Sequence, residues 1–344
     1  MVKVGIIGCG HWGPNYARCF NKLKNTTVAV CCDLKDDNLS RMKSLFGEVE
    51  VTKDYRDILK NSEISAVVVA TSATTHYSII KDCLECGKDV LAEKPLTLVP
   101  AQSLELAVLA ESKNLILMVG HTFLYNTGIR KLREFIDNGE LGKIYYINAT
   151  RTHLGLIRED VNAVWDLTPH DVSIFNYLTG SLPVSVSAVG AAHLKKGRED
   201  VAFINLVYPD NIIANIHVSW ADTNKERTIR LVGSNARAVF NDLDNLEKVK
   251  LYKKGISVSQ NYDDFGEFQL LLRDGDIISP RIEIKEPLKE QCSHFLECVT
   301  KRLTPFSDAR NGFDVVKVMS SIERSLKNNG ALEVIDKEVV EDKV

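Results

Sequence analysis

The sequence predicts a two-domain α/β protein: an N-terminal doubly wound parallel sheet, then an α+β domain with a large open, mostly antiparallel sheet. Three observations carry this. Over residues 2–119, short apolar runs alternate with stretches of helical spacing, as in a parallel sheet with helices on both faces. The first apolar run leads directly into Gly8-Cys9-Gly10-His11-Trp12-Gly13, which opens a stretch of helical spacing. After about residue 122 the pattern becomes strand-turn-strand, which favours antiparallel pairing. The 344 residues suit two domains, divided as 1–122 and 123–344.

Residues 2–7 read as a buried strand, 14–24 as a helix, 27–32 as a second strand and 37–46 as a helix. The run Ile-Ser-Ala-Val-Val-Val-Ala at 64–70 is a third strand. A helix over 75–86 stops at Gly87. A short strand at 90–92, a helix at 100–113 and a strand at 116–119 complete the first domain. The second opens with a helix at 127–138 and continues through strands at 143–153, 184–193, 200–208, 211–220, 227–232 and 236–240. Helical spacing returns at 288–301 and 311–328. Helices cover one face of such a sheet, and the other face needs a cover too. A homo-oligomer, dimer or tetramer, formed through this sheet is therefore expected.

The formal net charge of -3 gives no reason to expect a polyanionic partner. Lys195-Lys196 and Lys253-Lys254 are short and mixed with acids, unlike the broad basic face of a nucleic-acid binder. No run approaches the ~20 apolar residues of a membrane span. The apolar N-terminal run meets a glycine motif and not a cleavage site, so a cytoplasmic protein is expected. The eight cysteines show no disulfide framework. Cys83-x-x-Cys86 lacks a second ligand pair and lies in a helical pattern; it is read as packing, and no metal is expected.

The glycine motif matches G-x-G-x-x-G between a strand and a helix, the context that a dinucleotide requires. Gly8 permits the tight turn, Gly10 a close approach to pyrophosphate, and Gly13 close helix–strand packing. Pro14 suits the start of the helix. Asp33 ends the second strand, twenty positions past Gly13. An acid there accepts from ribose hydroxyls and repels a 2′-phosphate, which selects NAD.

Two further segments carry chemistry. Ala92-Glu93-Lys94-Pro95-Leu96 follows a short strand, and ligands sit at the carboxyl ends of parallel strands. Lys94 is thereby expected near the nicotinamide. Pro95 restricts Lys94 to extended backbone and is compatible with a cis bond. The second segment is Trp165-Asp166-Leu167-Thr168-Pro169-His170-Asp171. Thr168 reads as an N-cap, Pro169 as the first helical residue and Asp171 as the acid of a capping-box-like pattern. That places His170 in a first turn, where the helix dipole favours neutral imidazole. Asp166 is positioned to orient the ring.

Together the glycine motif, Glu93-Lys94-Pro95 and Asp166-x-x-x-His170 resemble the glucose–fructose oxidoreductase/inositol dehydrogenase (Gfo/Idh/MocA) family over essentially the whole chain. The resemblance implies a Rossmann domain plus an open-sheet α/β domain, NAD as cofactor, and Lys94, Asp166 and His170 as catalytic residues. It implies that His11, Trp12, Thr71, His76, Glu93 and Lys94 border the cofactor with the glycines. Tyr125, Asn126, Arg151 and Asn162 are the expected substrate contacts. Gly-x-Gly-His-Trp-Gly-Pro-Asn at 8–15 and Asp160-Val161-Asn162-x-x-Trp165-Asp166 resemble a nucleotide-sugar branch. This implies oxidation of a secondary alcohol on a sugar or nucleotide sugar, with UDP-N-acetylglucosamine going to its 3-keto form. Alternatives are an inositol or free-sugar dehydrogenase, an NAD-dependent glycosidase and a non-catalytic NAD-binding regulator.

Overall fold

The computed structural model describes residues 1–155, 157–258 and 270–335. The chain divides into two compact units, one of residues 1–125 with 285–320, the other of 126–284 with 321–344.

The first unit alternates strand and helix. In order come β1 (Val2–Ile7), α1 (Gly13–Asn21), β2 (Thr26–Cys32), α2 (Asp36–Phe46), β3 (Glu50–Thr52) and α3 (Tyr55–Lys60). Then come β4 (Ile64–Val69), α4 (His76–Glu85), β5 (Asp89–Ala92), α5 (Pro100–Ser112) and β6 (Leu117–Val119). The strands form one sheet in the order β3-β2-β1-β4-β5-β6, and every pairing is parallel. This is the doubly wound order of dinucleotide-binding sheets, reversing direction beside β1. The central strands are buried on both faces, as Ala66–Val69 and Val90–Ala92 are, which explains their unbroken apolar runs. β3 and α3 lie outside the sequence-predicted elements. β3 is three residues long, too short to show a period.

The second unit is built on a nine-stranded sheet. Its chain order runs α6 (Thr127–Asp137), β7 (Ile144–Leu154), α7 (Ala163–Thr179), β8 (Ser185–Ala191), β9 (Val201–Val207) and β10 (Ile213–Ser219). It continues through β11 (Ala221–Gly233), β12 (Arg237–Asn241), β13 (Val249–Tyr252), β14 (Gly255–Val258), β15 (Leu270–Arg273) and β16 (Ile277–Ile278). The last elements of the chain are α8 (Pro287–Lys301), α9 (Ala309–Lys327) and β17 (Glu333–Val334). The sheet order is β16-β13-β12-β11-β7-β10-β9-β8-β17. Only β10–β7 is parallel; the other pairs are antiparallel. β14 and β15 pair with each other. α8, and α9 as far as Ser320, fall in the first unit, where α8 packs on α1. This differs from the 123–344 bounds expected for the second domain, because helical spacing alone does not say which sheet a helix covers.

One face of the nine-stranded sheet is core: Ile147, Ala149, Ile204, Leu206, Ala214, Ile216, Ile229 and Leu231 are buried. From this face Arg151 reaches Asp171 of α7 by two bonds, Nε–Oδ2 at 2.9 Å and Nη2–Oδ1 at 2.7 Å. Both side chains are almost wholly buried, 6% and 1% exposed. Burial opposes the charged guanidinium, yet the Asp171 carboxylate outweighs it and holds Arg151 above its ordinary pKa. The pair pins β7 to α7. We expect Arg151→Ala to destabilise the fold by about 3–5 kcal/mol, because it strands a buried carboxylate. Arg151→Met with Asp171→Leu should recover most of that loss. Denaturant midpoints check both outcomes, and an alanine variant as stable as the parent would contradict this role.

Candidate active site

The carboxyl ends of the parallel strands gather the first half of the site. Gly8 ends β1 at φ +98°, donating its amide to the Cys32 carbonyl at 2.8 Å. An added Cβ at Gly8 would strike the Ala70 carbonyl, and one at Gly13 would strike the Gly8 carbonyl oxygen. Both glycines are therefore required for packing. Gly10 differs: a Cβ there would meet nothing within 4 Å, so the backbone is open on that side, as close approach of a pyrophosphate requires. No side chain caps α1 and its first turn carries no acid, which leaves its N-terminal amides for an anion. Asp33 closes the cradle, with Oδ2 accepting from the Cys9 amide at 2.8 Å and Oδ1 from the Lys35 amide at 2.9 Å. Those bonds fix the carboxylate and leave lone pairs for ribose hydroxyls. His11 and Trp12 sit edge to face, 5.2 Å apart, and Trp12 is exposed. Arg41 of α2, which the sequence reading did not single out, donates to the Cys9 and Gly10 carbonyls.

The next two strands deliver the lysine. The Glu93 amide bonds the Val69 carbonyl at 2.8 Å, and the Gly120 amide bonds that of Ala92 at 2.7 Å. The chain then turns through a cis Lys94–Pro95 bond. His76, buried at the start of α4, grips this turn. Its Nδ1 lies 2.8 Å from the Pro95 carbonyl and its Nε2 3.2 Å from that of Thr71. The shorter contact assigns the ring proton to Nδ1. The hydroxyls of Thr71 and Thr75 are 2.9 Å apart. Through Nδ1, His76 thus bonds the start of α4 to the Lys94–Pro95 turn that follows β5. Lys94 is buried, and so is His121 just past β6. Burial, and then the Lys94 charge, pushes the His121 pKa down to about 3. Neither of its ring nitrogens has a hydrogen-bond partner among the described residues. His121 is thus a neutral imidazole beside a lysine, and no local sequence pattern marked it.

In the second unit, α7 corrects the sequence expectation. The helix begins at Ala163, and its cap is Asn162, which accepts from the Trp165 amide at 2.9 Å. Pro169 lies inside the helix, so Thr168 is not the cap, Asp171 is not a capping acid and His170 is not in the first turn. The acid of the first turn is Asp166, which the helix dipole favours in its charged form. Asp166 and His170 are four apart on one continuous helix and share a face. Asp166 is held by Arg158 (Nη1–Oδ1, 3.0 Å) and by Trp220 (Nε1–Oδ2, 3.3 Å). Arg158 in turn forks Asp160 at 2.9 and 2.6 Å. Arg158 and Trp220 were not singled out from the sequence. They lie eight and 54 residues from Asp166, beyond any local motif.

The four expected substrate contacts are engaged within their own units. Tyr125 is buried, its hydroxyl 2.9 Å from His294 Nδ1 and 3.3 Å from Ser307 Oγ. Asn126 caps α6, accepting from the Gly128 amide at 2.9 Å and donating to Asp242 at 3.1 Å. Asn162 caps α7 and donates to Glu199 at 2.7 Å. Arg151 is buried and paired with Asp171. All eight cysteines are free, Cys83 buried and Cys86 exposed, so packing accounts for only the first of that pair. No His/Cys/Asp/Glu group that could hold a metal occurs among the described residues.

Residues 2–121 match the oxidoreductase family with an NAD-binding Rossmann fold, and residues 129–239 match the GFO/IDH/MocA C-terminal domain. The chain belongs to the GFO/IDH/MocA family. It is 26% identical to myo-inositol 2-dehydrogenase of Thermotoga maritima over 70% of this chain and 75% of that protein. It is 25% identical to UDP-N-acetylglucosamine 3-dehydrogenase of Acidithiobacillus ferrooxidans, over 82% of this chain and 87% of that one. A solved structure of the latter superposes with TM-score 0.80 at 22% identity, covering 95% of this chain and 97% of the other. The glycine cradle and Asp33 lie within the segment that matches the NAD-binding Rossmann domain, and NAD is the cofactor. When bound, NAD supplies the hydride acceptor.

Two contrasts test the cradle. Gly10→Ala should leave the melting temperature nearly unchanged and weaken NADH binding at least tenfold. Gly13→Ala should lower the melting temperature itself. Asp33→Ala should erode discrimination against NADPH in fluorescence titration; unchanged preference would remove the role given to that carboxylate.

Proposed function

We propose that the protein oxidises a secondary alcohol of a sugar, and that its substrate is UDP-N-acetylglucosamine, converted to the 3-keto form. The observation that carries the oxidation is the glycine cradle at the carboxyl edge of the parallel sheet, with Gly10 open on its Cβ side, in a segment that matches an NAD-binding oxidoreductase family. The substrate assignment draws on the nucleotide-sugar relative, which spans more of both proteins than the inositol dehydrogenase does.

In this reading His170 accepts the hydroxyl proton as the carbinol carbon gives up hydride. Lys94 donates a hydrogen bond to the same oxygen and stabilises its developing negative charge. Asp166, itself fixed by Arg158 and Trp220, orients the imidazole and balances the positive charge it gains. Myo-inositol is the second reading, favoured by the relative that oxidises it.

The outer face of the nine-stranded sheet supports a homo-oligomer. Val189, Phe203, Ile213 and Tyr146 stand about half exposed on it. Between these apolar side chains runs a ladder in which Arg230 donates to Asn148 at 2.9 Å, Asn148 to Asn215 at 3.1 Å, and Asn215 to Asn205 at 2.8 Å. We take this face as the contact between copies of the chain. No helix among the described residues is long and apolar enough to cross a membrane, and a cytoplasmic place suits an NAD-linked reaction.

The test is NADH absorbance with UDP-sugars, free sugars and inositols, with a coupled aminotransferase to draw off the 3-keto product. Turnover with UDP-N-acetylglucosamine is expected, and activity confined to inositols would overturn the substrate. His170→Ala should lower kcat at least ~10²-fold while NADH still binds, and Asp166→Asn should act in the same direction. If both variants turn over like the parent, the pair has no part in the chemistry.

A further inference from the structure

Behind the Lys94 turn lies a buried polar chain that the proposed reaction does not use. It draws on parts of the first unit distant in sequence. Tyr16 comes from α1, the helix opened by the glycine motif, and its hydroxyl donates to Glu93 Oε1 at 2.7 Å. Glu93 Oε2 accepts from the amide of Lys94 itself at 3.1 Å. Gln291 of α8 donates through Nε2 to the Tyr16 oxygen at 3.2 Å and accepts through Oε1 from the Thr122 hydroxyl at 2.7 Å. Tyr16 and Gln291 are 0% exposed and Glu93 7%.

The bonds have a fixed direction. Thr122 gives its proton to the amide oxygen, so the amide nitrogen is left to face Tyr16. The tyrosine has one proton and gives it to Glu93. Burial, and then the Glu93 charge, hold the Tyr16 pKa well above its ordinary value, so the phenol remains a donor. The packing leaves no slack. A Cβ at Gly120 would lie 3.2 Å from both the Tyr16 oxygen and the Ala92 carbonyl. Gln291 lies outside the two segments that match the family's domains, 2–121 and 129–239.

We propose that Tyr16 and Gln291 are positioning residues for Lys94: they keep the Glu93 carboxylate ionised and folded back on the Lys94 amide, so that the lysine leaves β5 in one direction. This rests on the reading of Lys94 as catalytic. A hydrogen bond to a carboxylate favours its charged form, and removing the donor raises its pKa. In Tyr16→Phe the ring still fills its site while Glu93 loses a donor. A carboxyl whose folded pKa is raised contributes stability below its unfolded pKa and loses it as pH rises through the folded value. The stability gap between parent and variant is then smallest near pH 4 and widest above neutrality.

The experiment follows melting temperature, NADH affinity and kcat from about pH 4 to pH 9 for the parent, Tyr16→Phe and Gln291→Leu. The expected result is a melting gap that widens with pH and NADH affinity within threefold of the parent near neutrality. The pH at which protonation of Glu93 lowers kcat/KM should also move up. Gln291→Leu should show the same changes, smaller. A constant gap with superimposable pH profiles overturns the proposal, however large the gap. The leucine variant decides alone if Tyr16→Phe does not fold. Should the parent oxidise no sugar, the proposed function fails, while the pH dependence of the melting gap still decides whether Tyr16 holds the Glu93 charge.

Discussion

The constraint on which the first unit depends is that all six strands of its sheet are parallel. Parallel pairing brings every carboxyl end to one edge. At that edge the chain sets Gly8 after β1, Asp33 after β2, Thr71 after β4, Lys94 after β5 and His121 after β6. Separate stretches of sequence thus meet without any long-range signal between them. The hydrogen bonds of Gly8 to Cys32, Glu93 to Val69 and Gly120 to Ala92 carry the pairing past the strands' formal ends. The functional turns are therefore extensions of the sheet and inherit its rigidity, as a preorganised site requires.

The second unit solves a different problem. One face of its sheet is packed by α7, through apolar contacts and the buried Arg151–Asp171 pair. That pairing sets where α7 lies on β7, and with it the face that carries Asp166 and His170. Asp166 is itself triangulated by Arg158 and Trp220. The charges of this unit therefore act in layers: one buried pair fixes the helix, and a half-buried cluster fixes Asp166 on it.

Most of the parallel sheet was legible because buried strands are unbroken apolar runs and glycine punctuates them. β3 and α3 were not, being too short for a period to emerge. The start of α7 was misread because Thr168-Pro169 has the pattern of a cap followed by a first-turn proline. Asn162 competes for the same role, and a helix of 17 residues held by packing tolerates the interior proline. Arg151 reads in sequence as a substrate contact, and its pairing with Asp171 emerges only from the fold. Arg41, Tyr16, His121, Arg158, Trp220 and Gln291 carry no motif. Their importance comes from what they touch, which depends on the fold. The glycine cradle, Asp33 and the Glu93-Lys94-Pro95 turn were legible because each is local chemistry at a strand end.

The most direct measurement is single-turnover hydride transfer from UDP-N-acetylglucosamine deuterated at carbon 3, with Lys94→Ala compared with the parent at saturating NAD. The account predicts deuterium in the reduced nicotinamide of the parent, and transfer in the variant slowed by at least ~10²-fold with NADH affinity retained. Deuterium transferred by the variant at the parent's rate, or no transfer by the parent at all, would contradict it.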